Sequence, residues 1–218
     1  MALRTITRML RGKDVTVLAS APLSEHERIV VENAEVLICV NGSIGQCSRV
    51  PDVWVLNSRE YDSPIYTNPI RWSDERKRLH EIMMQQGLNR RVRHILFLLK
   101  NESPSQTITR LRDNGVTWRG QTVLHAGQKT DLVRSVGVHK FDTAFNTSAG
   151  FTAIALALSG KPKHVNVCGF SLASDGYSYL PSVAPDTRLH IAQDTEALQD
   201  ITHLHNNFSI HLTASSEA

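Results

Sequence analysis

The stretch Asn146–Tyr179, NTSAGFTAIALALSGKPKHVNVCGFSLASDGYSY, decides the fold. It opens with Asn146-Thr147-Ser148, small polar residues of the kind that cap helix N-termini. Phe151, Ile154, Ala155 and Leu158 then recur at i, i+3, i+4 and i+7, one face of a helix. Gly160 and Pro162 stop that helix. The run HVNVCGF predicts a short β-branched strand over 164–170, with a polar loop, SLASDGYSY, behind it. Helix, strand and loop make half of an α/β unit, and two places in it suit a ligand. At the helix start, free N–H groups beside Ser148, Ala149 and Gly150 suit a phosphate. The other place is the C-terminal end of the strand, at Gly169, Phe170 and Ser171, where open α/β sheets bind ligands.

The rest of the chain repeats the alternation. Asp14–Ser20, Glu35–Val40 and Asp52–Leu56 read as apolar strands of the type buried on both faces of a parallel sheet. Ser24 and Glu27 predict a capping box for a helix through about Asn33. A further helix is predicted over 73–86. His94–Leu99 is the most hydrophobic strand and is expected at the centre of the sheet. Ser103-Pro104-Ser105-Gln106 starts a helix that ends at Gly115, and Thr122–Leu124 is another strand. Gly127-Gln128-Lys129-Thr130 lacks the spacing of a phosphate loop, and a short helix follows over 130–136. Ala197, Leu198, Ile201 and Leu204 mark the last helix, and Phe208–Leu212 the last strand. The fold class is therefore α/β: a doubly wound, mostly parallel, Rossmann-like sheet of about seven strands. Residues 1–213 form one domain, and 214–218 are expected to be a disordered tail.

Bulk properties bound the function. The 218 residues carry a net charge of +3, with 41% hydrophobic and 21% charged side chains, as in an ordinary globular domain. No nucleic-acid motif is present. The three cysteines include no CxxC pair, so no disulfide framework is expected and a cytoplasmic setting fits. Met1–Lys13 is arginine-rich and weakly amphipathic, and is expected to be a frayed basic start of the domain. The basic segment 71–93 reads first as a solvated helix face, with an anionic acceptor or a lipid surface as its functional alternative; there and at Met1–Lys13 any peripheral contact with the inner face of a membrane would be made.

Three of the strands end in short polar residues: Ser20, Asn41 (followed by Gly42) and Asn57. Turn chemistry accounts for any one of them. Three in succession fit a ligand site along the C-terminal edge of the sheet.

The order Ser148-Ala149-Gly150, an Ala/Leu-rich helix, a strand ending in Cys168-Gly169-Phe170, then Asp175-Gly176 and Tyr179 resembles the bacterial sialyltransferases that use CMP-sialic acid. It is similar, more loosely, to the sialylmotifs of the animal enzymes, and the likeness runs on through His190 to the last strand. The resemblance implies a GT-A-like variant of the fold and an inverting glycosyltransferase. That enzyme would move sialic acid, or a related ulosonic acid such as Kdo, from a CMP-sugar to a hydroxyl of a glycan or glycolipid. It places His190 as general base and Tyr179 on the donor phosphate, with Asn41 and Asn57 on the nucleotide. Ala173 stands where the family has a second tyrosine, and Tyr177 is the substitute within reach. Ala19-Ser20-Ala21-Pro22-Leu23 matches a Gly-Asn-Gly-Pro-Ser-like loop in which both glycines are here alanine.

The chemistry needs a base near neutral pKa and donors for the leaving phosphate, which histidine and tyrosine supply. No metal and no cofactor beyond the donor sugar are expected, since no DxD or carboxylate cluster appears. Two other functions fit the same pattern: a Mg²⁺-dependent pterin diphosphokinase-like enzyme, and a nucleotide-binding domain without catalysis.

Overall fold

The computed structural model describes residues 3–57, 86–87, 89–99, 103–140, 147–172 and 191–212. Seven strands form one sheet: β1 (Asp14–Leu18), β2 (Val36–Val40), β3 (Val53–Asn57), β4 (Arg91–Leu98), β5 (Thr117–Leu124), β6 (His164–Phe170) and β7 (Phe208–Leu212). Their order is β5-β4-β3-β2-β1-β6-β7, and all six pairings are parallel. The chain therefore walks outward from β1 to β5, returns beneath the sheet, and resumes on the other side of β1 with β6 and β7. A doubly wound sheet has its topological switch point at such a reversal, here between β1 and β6.

Side chains alternate across the sheet with period two, as strand geometry requires. Val15, Val17, Ile38, Val40, Val53, Val55, Leu96, Val165 and Val167 feed one core, under helices α1 (Arg4–Leu10), α4 (Ala126–Ser135), α5 (Ala149–Ser159) and α6 (Ile191–Leu204). Leu18, Leu37, Cys39, Trp54, Leu56, Ile95, Phe97 and Cys168 feed the other, under α2 (Glu25–Glu32) and α3 (Ser105–Asp113). Helix α5 is buried from Ala149 through Leu158, as expected of a helix apolar on all sides. It crosses beneath β1, β2, β3 and β6 and anchors the fold.

The 164–170 and 208–212 strands and the Ser24–Glu27 capping box stand as the sequence predicts. Several expectations are corrected. The N-terminal segment is not frayed over 4–10: Ile6 and Leu10 are fully buried against α5. A Cβ on Gly160 would come within 2.6 Å of the Leu10 Cβ, so the glycine lets the two helices close up. The apolar side of α1 thus faces the core rather than a membrane. Strand β4 is not central but lies one in from the β5 edge, and is hydrophobic because helices cover both of its faces. Strand β5 begins at Thr117, earlier than predicted, because alternate residues of this edge strand are exposed and polar. Helix α4 also begins early, at Ala126, where the Gln128 side chain accepts from the His125 N–H at 3.0 Å. Residues 73–85 of the helix predicted over 73–86, and the tail, lie outside the described residues.

Candidate functional site

The sheet order sets Asn57, Asn41, Ser20 and Ser171 at the C-terminal ends of four neighbouring strands, β3, β2, β1 and β6. At the usual 4.7–4.9 Å between strands, the row from β3 to β6 is about 14 Å long. All four residues are half-buried.

Local bonds explain how this edge holds its shape. Asn41 has φ +50°, in the left-handed region that asparagine tolerates better than most residues. It opens the 3₁₀ turn Asn41–Gln46, in which Gly42 is buried. Its side-chain oxygen accepts from the Asn57 N–H at 3.0 Å, and its carbonyl accepts from Trp54 Nε1 at 2.7 Å. The two predicted asparagines are therefore brought together, with the oxygen of Asn41 spent on the loop. Ser43 is buried and its hydroxyl joins β2 to β1, accepting from Val40 N–H and donating to the Leu18 carbonyl, both at 2.8 Å. Gln46 Nε2 donates to the Ala21 carbonyl at 3.2 Å, and Ser20 Oγ donates to the Val40 carbonyl at 3.4 Å.

The β1 and β6 ends are locked to each other. Ala19 N–H meets the Cys168 carbonyl at 2.9 Å, and Ala21 N–H meets the Gly169 carbonyl at 2.8 Å. Gly169 has φ +60°, and a Cβ there would lie 2.9 Å from the Ala21 oxygen and 3.0 Å from that of Ala19. Only glycine fits such a backbone without strain. Glu27 reaches the same junction from α2. One of its oxygens accepts from Gly169 N–H and the other from the N–H of Ser24, at 2.8 Å each. This carboxylate is 2% exposed. Burial, with the Glu27 charge alongside, pushes the Cys168 thiol up to about 12.

The start of α5 lies against the end of β6. Ser148 caps the helix, its hydroxyl accepting from Phe151 N–H at 3.0 Å, and Gly150 lies against Phe170, whose ring carbon would be 3.1 Å from a Cβ there. Ala149 is buried between them. The helix start does not stand open as a bare anion receptor, because it already carries charges of this chain. Asp194 from α6 accepts from the Ser148 N–H at 2.9 Å. Lys129 from α4 donates to the Thr147 carbonyl at 2.6 Å. Burial pulls the Lys129 ammonium down to about 8, against the attraction of Asp194. The helix start therefore presents its dipole together with the Lys129 and Asp194 side chains.

Among the expected residues, Ser20, Asn41, Gly42, Asn57, Ser148, Ala149, Gly150, Gly169, Phe170 and Ser171 are thus placed around the switch point. Tyr177, Tyr179 and His190 lie outside the described residues, as do Asn146, Ala173 and Asp175. Of the other histidines, His94 is structural: it is buried, its Nε2 is 2.8 Å from Thr122 Oγ1, and burial lowers its pKa. His203 and His205 form an HxH pair at the end of α6, with His205 Nε2 3.1 Å from the Val136 carbonyl. Among the described residues, no three His, Cys, Asp or Glu side chains are grouped to hold a metal, and no helix is long and apolar enough to cross a membrane.

Ser43, Gln46, Lys129, Asp194 and the second role of Glu27 were not expected from the sequence. Glu27 was legible only as a cap, since nothing local signals a bond to a residue 142 positions away.

No protein-family model matches the chain, and no curated protein matches it in sequence. Among solved structures, the chain is similar to the sialyltransferase CstII from Campylobacter jejuni in complex with cytidine-5'-monophosphate. Identity there is 13%, with 93% of this chain and 80% of that one covered, and a TM-score of 0.49. The same enzyme with CMP-3FNeuAc gives 12%, 94%, 81% and 0.47. An alpha-2,3-sialyltransferase from Campylobacter jejuni in apo form gives 9%, 94%, 76% and 0.48.

Proposed function

We propose that the protein is an inverting glycosyltransferase that moves sialic acid, or a related ulosonic acid such as Kdo, from a CMP-sugar to a hydroxyl of a glycan or glycolipid. The observation that carries this is the row Asn57, Asn41, Ser20 and Ser171 across the switch point. Its length of about 14 Å suits a nucleoside monophosphate lying along the strand ends. Small hydroxyl and amide side chains suit the hydrogen-bonding edges of a pyrimidine and a ribose better than a bulky purine.

The chemistry follows from the donor. The anomeric carbon of an ulosonic acid already bears a carboxylate, so its transition state is oxocarbenium-like and negative charge grows on the departing CMP phosphate. Tyr179, with Tyr177 as its neighbour, donates to that phosphate, and the start of α5 adds its dipole. His190 takes the proton of the acceptor hydroxyl as its oxygen attacks. These groups supply the needed charge without a metal ion. The acceptor is presented at the inner face of a membrane, where the basic segment 71–93 meets anionic headgroups.

His190→Ala tests the assignment. Turnover falls by roughly 10²–10⁴-fold, the usual contribution of a general base, while CMP binding persists. The wild-type rate rises with pH through a limb of the histidine kind, and that limb is absent from the variant. A His190→Ala enzyme with normal turnover would refute the base role. Tyr179→Phe slows the departure of CMP and leaves the limb in place.

A further inference from the structure

Cys39 and Cys47 sit on either side of the turn that carries Asn41. Cys39 is in β2, on the α2 side of the sheet, and is fully buried. Cys47 follows the 3₁₀ turn directly. Their sulfurs are 3.7 Å apart, in hydrogen-bond contact. A disulfide needs about 2.05 Å, so the sulfurs must approach by about 1.6 Å. We propose that Cys39 and Cys47 form a reversible disulfide that shifts the Asn41–Gln46 turn and so changes the strand-end site.

The surroundings determine which sulfur moves. Cys39 is held in a sheet strand that pairs with β1 and β3, from Leu37–Thr16 through Val40–Val55. Cys47 is tied to a surface turn: its thiol donates to the Ile44 carbonyl at 3.5 Å, and its neighbour Ser48 is bound by Glu32 and is exposed. Gly45 and Val50 are exposed as well. Local opening of this turn therefore admits a small oxidant and lets Cys47 swing. The movement is transmitted at once, because Gln46 holds the Ala21 carbonyl and Asn41 holds both Asn57 and Trp54.

The two thiols are also unlike. The Cys39 thiol hydrogen-bonded to it holds Cys47 below the ordinary thiol range, and the Arg90 guanidinium helps, against burial and the Glu32 carboxylate. Burial pushes Cys39 well above that range. Cys47 is accordingly the nucleophile. Its thiolate attacks one oxygen of hydrogen peroxide, giving a sulfenic acid and, after protonation, one water. The Cys39 sulfur then attacks the sulfenic sulfur, and the hydroxyl leaves as a second water with the Cys39 proton. Two thiols are oxidised, and peroxide is reduced by two electrons.

Trp54 reports the shift without any nucleotide, since its indole N–H bonds the Asn41 carbonyl. The folded protein is treated with hydrogen peroxide and then followed by intact mass, by peptide mapping and by tryptophan emission. The expected result is loss of two hydrogens per chain, a 39–47 cross-link, and an emission change that dithiothreitol reverses. Cys47→Ala and Cys39→Ala lose the cross-link, Cys168→Ser keeps it, and Trp54→Phe loses the emission change. A folded wild type that forms no 39–47 cross-link, or goes straight to sulfinic acid at Cys47, overturns the proposal. So does a cross-link without an emission change. The effect on the site rests on the proposed function, and CMP titration of reduced and oxidised protein tests it separately, with weaker binding expected after oxidation. If neither form binds CMP, the proposed function fails and the switch is judged on mass and emission alone.

Discussion

Replacing Gly169 by alanine tests the junction of β1 and β6 that creates the switch point. The residue has φ +60°, where a Cβ costs about 1–2 kcal/mol. The added methyl would also face two backbone oxygens at 2.9 and 3.0 Å, atoms that cannot swing aside like the end of a side chain. Overpacking of this kind costs about 1–3 kcal/mol more. The sum is roughly 2–5 kcal/mol, a fall in Tm of about 4–20 °C for a domain of this size. Two other glycines separate the contributions. Gly12 has φ +67° and nothing within 4 Å of a Cβ, so Gly12→Ala carries the backbone cost alone. Gly127 lies in the first turn of α4 with open space around it, and Gly127→Ala is stabilising by up to about 1 kcal/mol through helix propensity. The order of stability by calorimetry or urea titration is then Gly127→Ala, wild type, Gly12→Ala, Gly169→Ala. A Gly169→Ala protein no less stable than Gly12→Ala would refute the close approach of Gly169 to the β1 end.

Four further outcomes follow from the same geometry. Glu27→Gln sets an amide NH₂ against either the Gly169 or the Ser24 N–H, and a urea midpoint reads a loss of roughly 1–3 kcal/mol. Leu10→Ala opens a cavity under α1 and costs roughly 2–5 kcal/mol, whereas a frayed N-terminus would show no change. The Lys129 pKa is lowered to about 8, so between there and the ordinary lysine value near 10.4 the unfolded chain binds the extra proton. Stability therefore rises with pH across that window, and Lys129→Met removes the slope. EDTA leaves sugar transfer intact, whereas a strict Mg²⁺ requirement would favour a pterin diphosphokinase-like enzyme.

The alternation of strands and helices was legible because it is local. HVNVCGF fills one strand with β-branched residues, and Ser24 with Glu27 closes a box three positions apart. The strand order was not legible, since each parallel strand looks equally apolar whether it lies at the centre or next to an edge, and β4 was misplaced for that reason. Strand β5 was shortened because an edge strand carries polar residues that blur the period. At the site, the polar ends Ser20, Asn41 and Asn57 could be found from sequence because turn chemistry marks them. Partners that come from distant helices could not. Asp194 reaches Ser148 across 46 positions, and Lys129 reaches Thr147 across 18, with nothing in either segment to announce the meeting.

The most direct test of the central claim, a CMP-selective site at the switch point, is a thermal-shift comparison of CMP with ATP on the wild-type protein. At about 100 times its Kd, a ligand adds about 2.7 kcal/mol of apparent stability. For a chain of this size that is a rise in Tm of roughly 5–11 °C. The account predicts this rise with CMP, a smaller one or none with ATP, and a reduced CMP response when Ser20 is replaced by valine. Equal rises with CMP and ATP, or a CMP response untouched by Ser20→Val, would contradict it.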